Sequence, residues 1–137
     1  MAGNIRLQVV TPEKDIVNED VQTVVSPGSE GEFGVLVGHT PFMTTLKTGA
    51  LKYTDTSGKE RFVFVSGGFA EALPDKVTVL AESAERRKDI DTARAQAAKE
   101  RAQSRLDQHK EDLDFARAKA ALERALYRLR LAGGSHT

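Results

Sequence analysis

The chemistry that this sequence can support is concentrated in the arginines between Ile90 and Leu131. Four of them have no acidic residue three or four positions before them, so no such carboxylate on their own helix face is placed to neutralise them: Arg101, Arg105, Arg124 and Arg128. Arg101 and Arg105 lie one helical turn apart, as do Arg124 and Arg128. Repulsion between such like charges destabilises an isolated helix by roughly 0.2–0.5 kcal/mol per pair. An anionic ligand or an acidic protein surface would offset this repulsion.

Two interpretations of these arginines are open at this point. If the segment folds back on itself, the arginine faces of its two halves could converge, and converging guanidinium groups suit the charge and planar geometry of a polyphosphate. The same groups, released, could dock on an acidic protein surface. Alternatively they form an ordinary solvated basic face, because alanine-rich helices often carry arginine for solubility.

The elements that must position these arginines are two amphipathic helices. Asp89 or Asp91 can cap the first, whose narrow apolar stripe is Ala95, Ala98, Ala102 and Leu106. After the polar break DQHKED, Asp112 or Asp114 can cap the second, which ends at Gly133-Gly134. Its apolar side is predicted to carry Phe115, Ala118, Leu122, Ala125 or Leu126, and Leu129. Alanine buries little area, so at about 25 cal/mol per Å² the seam is a few kcal/mol weaker than a leucine seam.

The region from Ile5 to Ala81 has short β-branched or alternating segments: IRLQVV, VQTVVS, FGVLV, FMTTLK, ALKYTD, RFVFVS, FAEAL and KVTVLA. Turn residues separate them, at Pro27-Gly28, Gly38 to Pro41, Gly49, Ser57-Gly58, Gly67-Gly68 and Pro74-Asp75. After Glu82 there is no glycine until Gly133 and no proline. The predicted fold class is therefore α+β, with an N-terminal antiparallel β-sandwich (1–84) and a C-terminal two-helix antiparallel hairpin (85–137).

Composition excludes several function classes. The chain has 137 residues with 20 basic and 20 acidic side chains, a balance that argues against nucleic acid as the main partner. It has no cysteine, so a disulfide framework, a thiolate nucleophile and a cysteine zinc site are impossible. The three histidines are far apart in sequence and lack metal-ligand spacing. No apolar run approaches the roughly 20 residues that span a bilayer, so membrane association is expected only through partners.

Other candidate sites are weaker. The glycines of PGSEGEFG resemble those of a phosphate loop, but Glu30 and Glu32 would repel phosphate and no Lys-Ser/Thr follows. A turn between strands, with an exposed acidic contact surface, is the favoured interpretation. His39 in GHTPF is interpreted as a turn or interface residue. No catalytic residues are predicted, because no Ser/His/Asp set or carboxylate pair stands out.

The ordered set GEFGVLVGHTPF, VSGGFAEALPDKVTVLAE, IDTARA and ALERALYRLRLA resembles the epsilon subunit of bacterial rotary ATP synthases over essentially the whole chain. The resemblance implies a non-catalytic subunit of the rotor central stalk, with a sandwich that binds the gamma subunit and the c-ring. It places the acidic loop (Ser29, Glu30, Gly31, Glu32) near the c-ring and His39 near gamma. It further implies a peripheral position on the cytoplasmic face of the bacterial plasma membrane.

The resemblance also implies that the tail helices can extend along gamma and meet an acidic stretch of the catalytic beta subunit of the alpha/beta ring. Contact there would block rotation in the hydrolysis direction. The arginines implied in this inhibitory contact are Arg101, Arg105, Arg124 and Arg128.

A nucleotide motif of the family, Ile/Leu-Asp-x-x-Arg-Ala, stands complete at 90–95. By resemblance ATP is a regulatory ligand of the folded hairpin, no cofactor is required, and the ATP-binding residues are Glu85, Ile90, Asp91, Arg94, Ala95, Arg101, Arg124 and Arg128. Asp91 and nearby backbone would recognise adenine, Ile90 and Ala95 would line the base pocket, Glu85 would make a polar contact, and the arginines would face ribose or phosphates. The competing interpretation of Asp91 is an ordinary helix cap that also pairs with Arg94.

Three function classes are therefore compared. They are a rotor-coupling and regulatory subunit, a stand-alone β-sandwich binding module with a helical tail, and an enzyme. The enzyme class is not supported, because the sequence shows no convergent set of catalytic residues. A soluble ATP-sensing protein that acts outside the synthase is the alternative that the arginine hairpin alone could support.

Overall fold

The computed structural model describes residues 3–36, 38, 40–108 and 112–134, with the side chains of Asp112 and Leu113 left aside. The chain divides into two compact units between Arg87 and Lys88. The first unit is built of strands and the second of two helices, as predicted. The sandwich unit extends a few residues beyond the predicted limit at residue 84, because its last strand continues to Arg86.

The elements of the described chain follow in a simple order. The strands are β1 (Ile5–Val10), β2 (Asp15–Gly28), β3 (Gly31–Val35), β4 (Phe42–Thr45), β5 (Gly49–Asp55), β6 (Glu60–Leu73) and β7 (Lys76–Arg86). A single 3₁₀ turn (Arg87–Asp89) precedes α1 (Thr92–Asp107) and α2 (Asp112–Ala132). Neither helix of the described chain is long and apolar enough to cross a membrane.

Within the described strands the hydrogen-bonded order is β1-β7-β6-β5-β2-β3, with β4 added on β6 and β1 also paired to β2. Five of these strands therefore close into a ring: β1, β2, β5, β6 and β7. An odd ring cannot alternate direction all the way round, so one pair must be parallel. That pair is β1 with β7. The predicted sandwich is confirmed; its sheet is mixed, because β1 and β7 are parallel while the other described strand pairs are antiparallel.

Gly67 and Gly68, predicted as a turn between two strands, lie inside the single strand β6. The first half of β6 pairs with β5, and the half after the glycines pairs with β4. Both glycines have positive φ, 71° and 94°. Positive φ costs glycine little and bends the strand. The glycine pair that predicted a turn therefore forms a bend within β6, and the two halves of this strand pair with different neighbours.

The core of the sandwich is formed by every second side chain along β1 and β7. In β1, Ile5, Leu7 and Val9 are fully buried, and their neighbours Arg6 and Gln8 are not. The parallel partner β7 contributes buried residues at the same alternating positions. Each fully buried large aliphatic side chain contributes about 1.5–3 kcal/mol relative to exposure. A one-residue slip of β1 would lose this contribution at every position.

Arg86, the last residue of β7, connects three strands of the sandwich unit. Its Nε donates to the carbonyl of Ile16 and its Nη1 to the Tyr53 hydroxyl, each at 3.0 Å. Its Nη2 lies 3.7 Å from a Glu19 carboxylate oxygen. Burial raises the pKa of Tyr53 above its usual value, against the opposing effect of Arg86. The side chain of Arg86 therefore ties β7 to β2 and β5 immediately before the second unit begins.

The β5–β6 connection has the hairpin tip that Ser57-Gly58 predicted. Asp55 Oδ1 accepts hydrogen bonds from the Ser57 hydroxyl (2.7 Å) and from the backbone amides of Ser57 (3.0 Å) and Lys59 (2.9 Å). Its Oδ2 lies 3.2 Å from Arg61 Nε. These contacts, with the Ser57 hydroxyl the largest contributor, hold the pKa of Asp55 at about 2.

Replacing Asp55 by asparagine is expected to flatten the acid side of the stability curve. The folded pKa of Asp55, about 2, lies below the usual aspartate value of about 3.9. Its ionised form therefore stabilises the fold above pH 4, and this contribution disappears as the pH falls towards 2. Denaturant unfolding between pH 5 and 2 should show a steeper loss for the original chain than for Asp55→Asn. Parallel curves would contradict this assignment.

Candidate functional site

The first helix of the hairpin begins at the motif that the sequence singled out. Asp91 has extended backbone, and its Oδ1 accepts from the Arg94 amide at 3.0 Å. Asp91 is thus the N-cap of α1, and Asp89 lies in the preceding 3₁₀ turn. The described ion pairs do not include Asp91 with Arg94, the pair that the competing interpretation of Asp91 contained. Ile90 and Ala95, the apolar members of the motif, are both buried.

The seam of the hairpin is made of small side chains. The buried positions of α1 are Ala95 and Ala102, and those described in α2 include Ala118 and Ala125, again seven apart. Of the predicted alternatives, Ala125 is buried and Leu126 is 40% exposed. Phe115, predicted on the apolar side, is 44% exposed. The buried positions of the seam are occupied by alanines, which leave little room for a large aromatic ring, so Phe115 remains exposed.

α2 ends as its sequence predicted. The amides of Gly133 and Gly134 donate to the carbonyls of Leu129 and Leu131, and Gly134 has φ 74°. Leu131 is fully buried although it was not among the predicted apolar positions. Its position two residues before a glycine terminator was the signal that could have identified it. The described helices span 16 and 21 residues, hence about 24 and 31 Å.

The arginines of α1 are available for a ligand. Arg94, Arg101 and Arg105 are exposed, and in the described part of the chain their side chains make no ion pair or hydrogen bond. In α2 the same holds for the half-buried Arg124. Arg128 is also half-buried but has an interaction partner. Arg101, Arg105 and Arg124 thus have no described partner, whereas Arg128 has one.

The two carboxylates of α1 are hydrogen-bonded to glutamines. Gln96 Nε2 donates to Glu100 Oε1 at 3.4 Å, and Gln103 Nε2 donates to Asp107 Oδ1 at 3.1 Å. Each carboxylate thus accepts a hydrogen bond from the glutamine one turn earlier in α1. Neither carboxylate makes a described ion pair with Arg94, Arg101 or Arg105.

A cleft of about 740 Å³ opens in the hairpin, where the end of α1 faces the start of α2. It brings Arg101 and Arg105 together with Arg117, a residue that the site predictions omitted. The other described lining residues are Glu100, Ser104, Gln108 and Asp114. Arg94, Arg124 and Arg128 are not among them, and Glu85 belongs to β7 of the first unit. The predicted ATP-binding residues are therefore not assembled in this cleft.

The predicted acidic loop is a tight turn between β2 and β3. Ser29 and Glu30 form the turn, and Ser29, Glu30, Gly31 and Glu32 are all exposed. The amide of Ser29 donates to the carbonyl of Thr45 at 2.9 Å, and the two hydroxyls lie 2.5 Å apart. The turn is thus fixed to β4 and displays two glutamates. His39, the predicted gamma contact, lies outside the described residues.

Within the described chain, no three His, Asp or Glu side chains lie close enough together to hold a metal ion. Fold and site together define a two-unit protein: a closed β-sandwich that displays an acidic turn, followed by a helical hairpin that displays arginines. Residues 4–87 match the family model for the ATP synthase, Delta/Epsilon chain, beta-sandwich domain. Residues 88–133 match the model for the long alpha-helix domain of the same family.

Individual relatives agree with these matches. An ATP synthase epsilon chain from Desulfatibacillum aliphaticivorans is 70% identical over 107 residues, 78% of this chain and 76% of the relative. One from Nitratidesulfovibrio vulgaris strain DP4 is 55% identical over 135 residues, 98% of this chain and 100% of the relative. The chain therefore belongs to the ATP synthase delta/epsilon family, in its bacterial epsilon branch. The sequence resemblance is thereby confirmed.

A solved structure extends the likeness to an assembled enzyme. It is a chain in the cryo-EM structure of the Euglena gracilis mitochondrial ATP synthase, OSCP/F1/c-ring, in rotational state 1. The superposition has a TM-score of 0.81 at 26% identity and covers 99% of this chain and 84% of that one. The two-unit fold is therefore shared with a component of a rotary complex.

Proposed function

We propose that this chain is a non-catalytic rotor subunit of the central stalk of a rotary ATP synthase. The observation that carries the proposal is full-length family membership together with a structural likeness to a chain from an F1/c-ring assembly. In this role the sandwich unit binds gamma and the c-ring and helps to couple ion flow to ATP synthesis. The chain reaches the cytoplasmic face of the bacterial inner membrane through that complex.

The exposed turn at Ser29–Glu32 suits the c-ring contact. Two glutamates on a turn that β4 holds in place give a small, fixed, acidic surface. Such a surface can recognise polar or basic loops without paying to order a flexible segment. The neighbouring His39 segment is assigned to gamma on the family resemblance.

The hairpin is assigned the regulatory role. Its alanine seam makes separation of the helices less costly than in a leucine-packed pair, by a few kcal/mol at about 25 cal/mol per Å². Extended helices would carry Arg101, Arg105, Arg124 and Arg128 to an acidic surface of the catalytic beta subunit. Because three of these side chains lack a described internal partner, docking need not break an existing ion pair for them.

ATP is proposed as the ligand that holds the hairpin folded. A ligand stabilises the state that it binds by about 0.4 kcal/mol at a concentration equal to Kd and by about 2.7 kcal/mol at a hundredfold excess. A weak seam is the condition under which so small a term can change the population of the folded hairpin. High ATP then permits turnover, and low ATP lets the helices extend and stop hydrolysis.

Replacing Arg94 or Arg124 by alanine is expected to weaken ATP binding at least tenfold in each case. A hydrogen bond to a charged group is worth about 1.5–3 kcal/mol, and about 1.4 kcal/mol corresponds to a factor of ten. Calorimetric titration of the full chain with ATP measures the change. Arg130→Ala is the matched control, because Arg130 is exposed and its guanidinium lies over the Tyr127 ring, 5.2 Å from the centroid.

Absence of saturable binding at millimolar ATP would overturn the ATP assignment while leaving the rotor role intact. An equal loss in Arg130→Ala would also overturn it, because the attraction would then be one of general charge. Asp91→Asn tests the adenine side of the site: it keeps one oxygen as the cap acceptor, removes the negative charge and replaces the second acceptor oxygen by an NH2 donor. A selective loss of ATP relative to tripolyphosphate in this variant is the expected result.

A further inference from the structure

We propose that Thr45 of β4 is a positioning residue for the c-ring contact, and that it acts through the hydroxyl of Ser29. The inference rests on the proposed function, in which the turn at Ser29–Glu32 meets the c-ring. It goes further, because it assigns the orientation of that turn to one side chain of another strand. Thr45 does not have to touch the c-ring in this role. It holds the two glutamates of the turn in one direction.

Main-chain hydrogen bonds attach the start of the turn to the end of β4. The Ser29 amide donates to the Thr45 carbonyl at 2.9 Å, and the Lys47 amide donates to the Pro27 carbonyl at 3.0 Å. These two bonds fix the backbone that enters the turn and involve neither of its glutamates. They do not depend on which side chain stands at position 45, so they give the turn its place but not its final orientation.

The hydroxyls of Ser29 and Thr45 add a side-chain contact at the turn itself. They lie 2.5 Å apart, and either can donate to the other. Ser29 directly precedes Glu30, and Gly31, on the other side of Glu30, has no side chain with which to restrain the turn. The Ser29–Thr45 bond therefore restricts the rotamer and the peptide orientation from which Glu30 leaves the turn.

β4 also contacts the strand that leaves the turn. The rings of Phe33 in β3 and Phe42 in β4 meet edge to face, with their centroids 4.9 Å apart. In the described chain β3 and β4 are not hydrogen-bonded neighbours in the sheet, so side chains join them. The apolar ring pair supports the far side of the turn, and the hydroxyl pair supports the near side. β4 therefore braces the turn from both ends.

The two glutamates depend on this support for their orientation. Glu30 and Glu32 are exposed, and neither takes part in a described ion pair. Ordering side chains and loops when two proteins bind costs free energy that reduces the affinity. A turn whose orientation is set in the free chain reduces this cost. Loss of the Thr45 hydroxyl should therefore weaken the contact although both carboxylates remain.

The test is titration of the labelled full chain onto synthase from which this subunit has been removed. Thr45→Val keeps the β-branched shape and replaces the hydroxyl by a methyl group. It should weaken binding about three- to fivefold, the value of a neutral, exposed hydrogen bond. Thr45→Ser retains the hydroxyl and should restore the original affinity.

Two further variants separate positioning from other effects. Thr23→Val is the matched control, because it removes a hydroxyl bond to Thr54 (3.2 Å) between β2 and β5, which is not at the turn. It should leave binding unchanged. In a Ser29→Ala background Thr45→Val should weaken binding no further, because the partner hydroxyl is already absent.

The double variant Glu30→Gln with Glu32→Gln separates this inference from the function on which it rests. Unchanged binding in the double variant would overturn the c-ring assignment of the turn and this inference with it. Weaker binding in the double variant but not in Thr45→Val would overturn only the positioning role. An equal loss in Thr23→Val would make the effect one of general stability. A further loss from Thr45→Val in the Ser29→Ala background would make Thr45 a direct contact, and each of these two results also overturns the positioning role.

Discussion

Deletion of residues 88–137 is expected to raise ATP hydrolysis by the assembled synthase several-fold at low ATP, while the remaining sandwich stays bound to the rotor. The deletion removes the whole second unit and leaves the first complete. Arg86 still bonds Ile16 and Tyr53, so the end of β7 keeps its anchor. Steady-state hydrolysis at a series of ATP concentrations measures the effect. The difference should shrink as ATP rises, because the full chain is then held in the folded hairpin state.

A point-variant control separates loss of the brake from damage to assembly. Replacing Arg101 and Arg105 by glutamine in the full chain should raise hydrolysis in the same direction, since both are exposed and have no described partner to lose. Gln96→Ala is the matched change on the neighbouring row and should have little effect. Unchanged hydrolysis at every ATP level in the deletion would refute the regulatory role and leave the stalk role standing.

Gly68→Ala is expected to destabilise the sandwich by roughly 2–5 kcal/mol, adding the cost of positive φ for an L-residue to that of overpacking. Gly68 has φ 94°, and a Cβ there would lie 1.9 Å from the carbonyl oxygen of Leu80. The Gly68 carbonyl also accepts from the Leu46 amide at 2.9 Å, so the backbone cannot shift freely. The loss is a large part of the 5–15 kcal/mol typical of a domain. Denaturant unfolding of the full chain measures it.

Gly58→Ala is the matched control. Gly58 also has positive φ, 86°, but a Cβ there meets nothing within 4 Å. It should therefore cost only the backbone term, about 1–2 kcal/mol. Equal effects at Gly58 and Gly68 would show that the close approach of β6 to β7 is not the dominant cost.

Local patterns predicted the elements well where neighbouring residues alone decide the outcome. Alternation located β1, the Ser57-Gly58 tip closed a hairpin, and Gly133-Gly134 ended α2. Asp91 was one of two predicted caps, and it is the one that bonds the Arg94 amide. These features depend on side-chain periodicity, on positive φ and on side-chain acceptors next to free amides, all of which are encoded within a few residues.

Long-range geometry was not predictable in the same way. Gly67-Gly68 has the same signature as a turn, and only the pairing of β6 with both β4 and β5 reveals it as a bend. The parallel pair β1–β7 follows from closure of an odd ring of strands, a property of the whole unit. The end of the sandwich unit at Arg87 depends on how far β7 stays paired with β6.

For function, the sequence alone was sufficient to identify the family, because its motifs are spread over the whole chain and can be recognised without an alignment. They also singled out arginines without an acidic residue one turn before them, since helix spacing determines which charges are near each other on one helix. Which arginines share a cleft is different: Arg117 meets Arg101 and Arg105 only because α2 folds back on α1. Likewise, Gln96 donates to Glu100 and Gln103 donates to Asp107, and these contacts depend on the side-chain rotamers. Contacts between elements and choices among rotamers are decided by packing in three dimensions, so they required the tertiary structure.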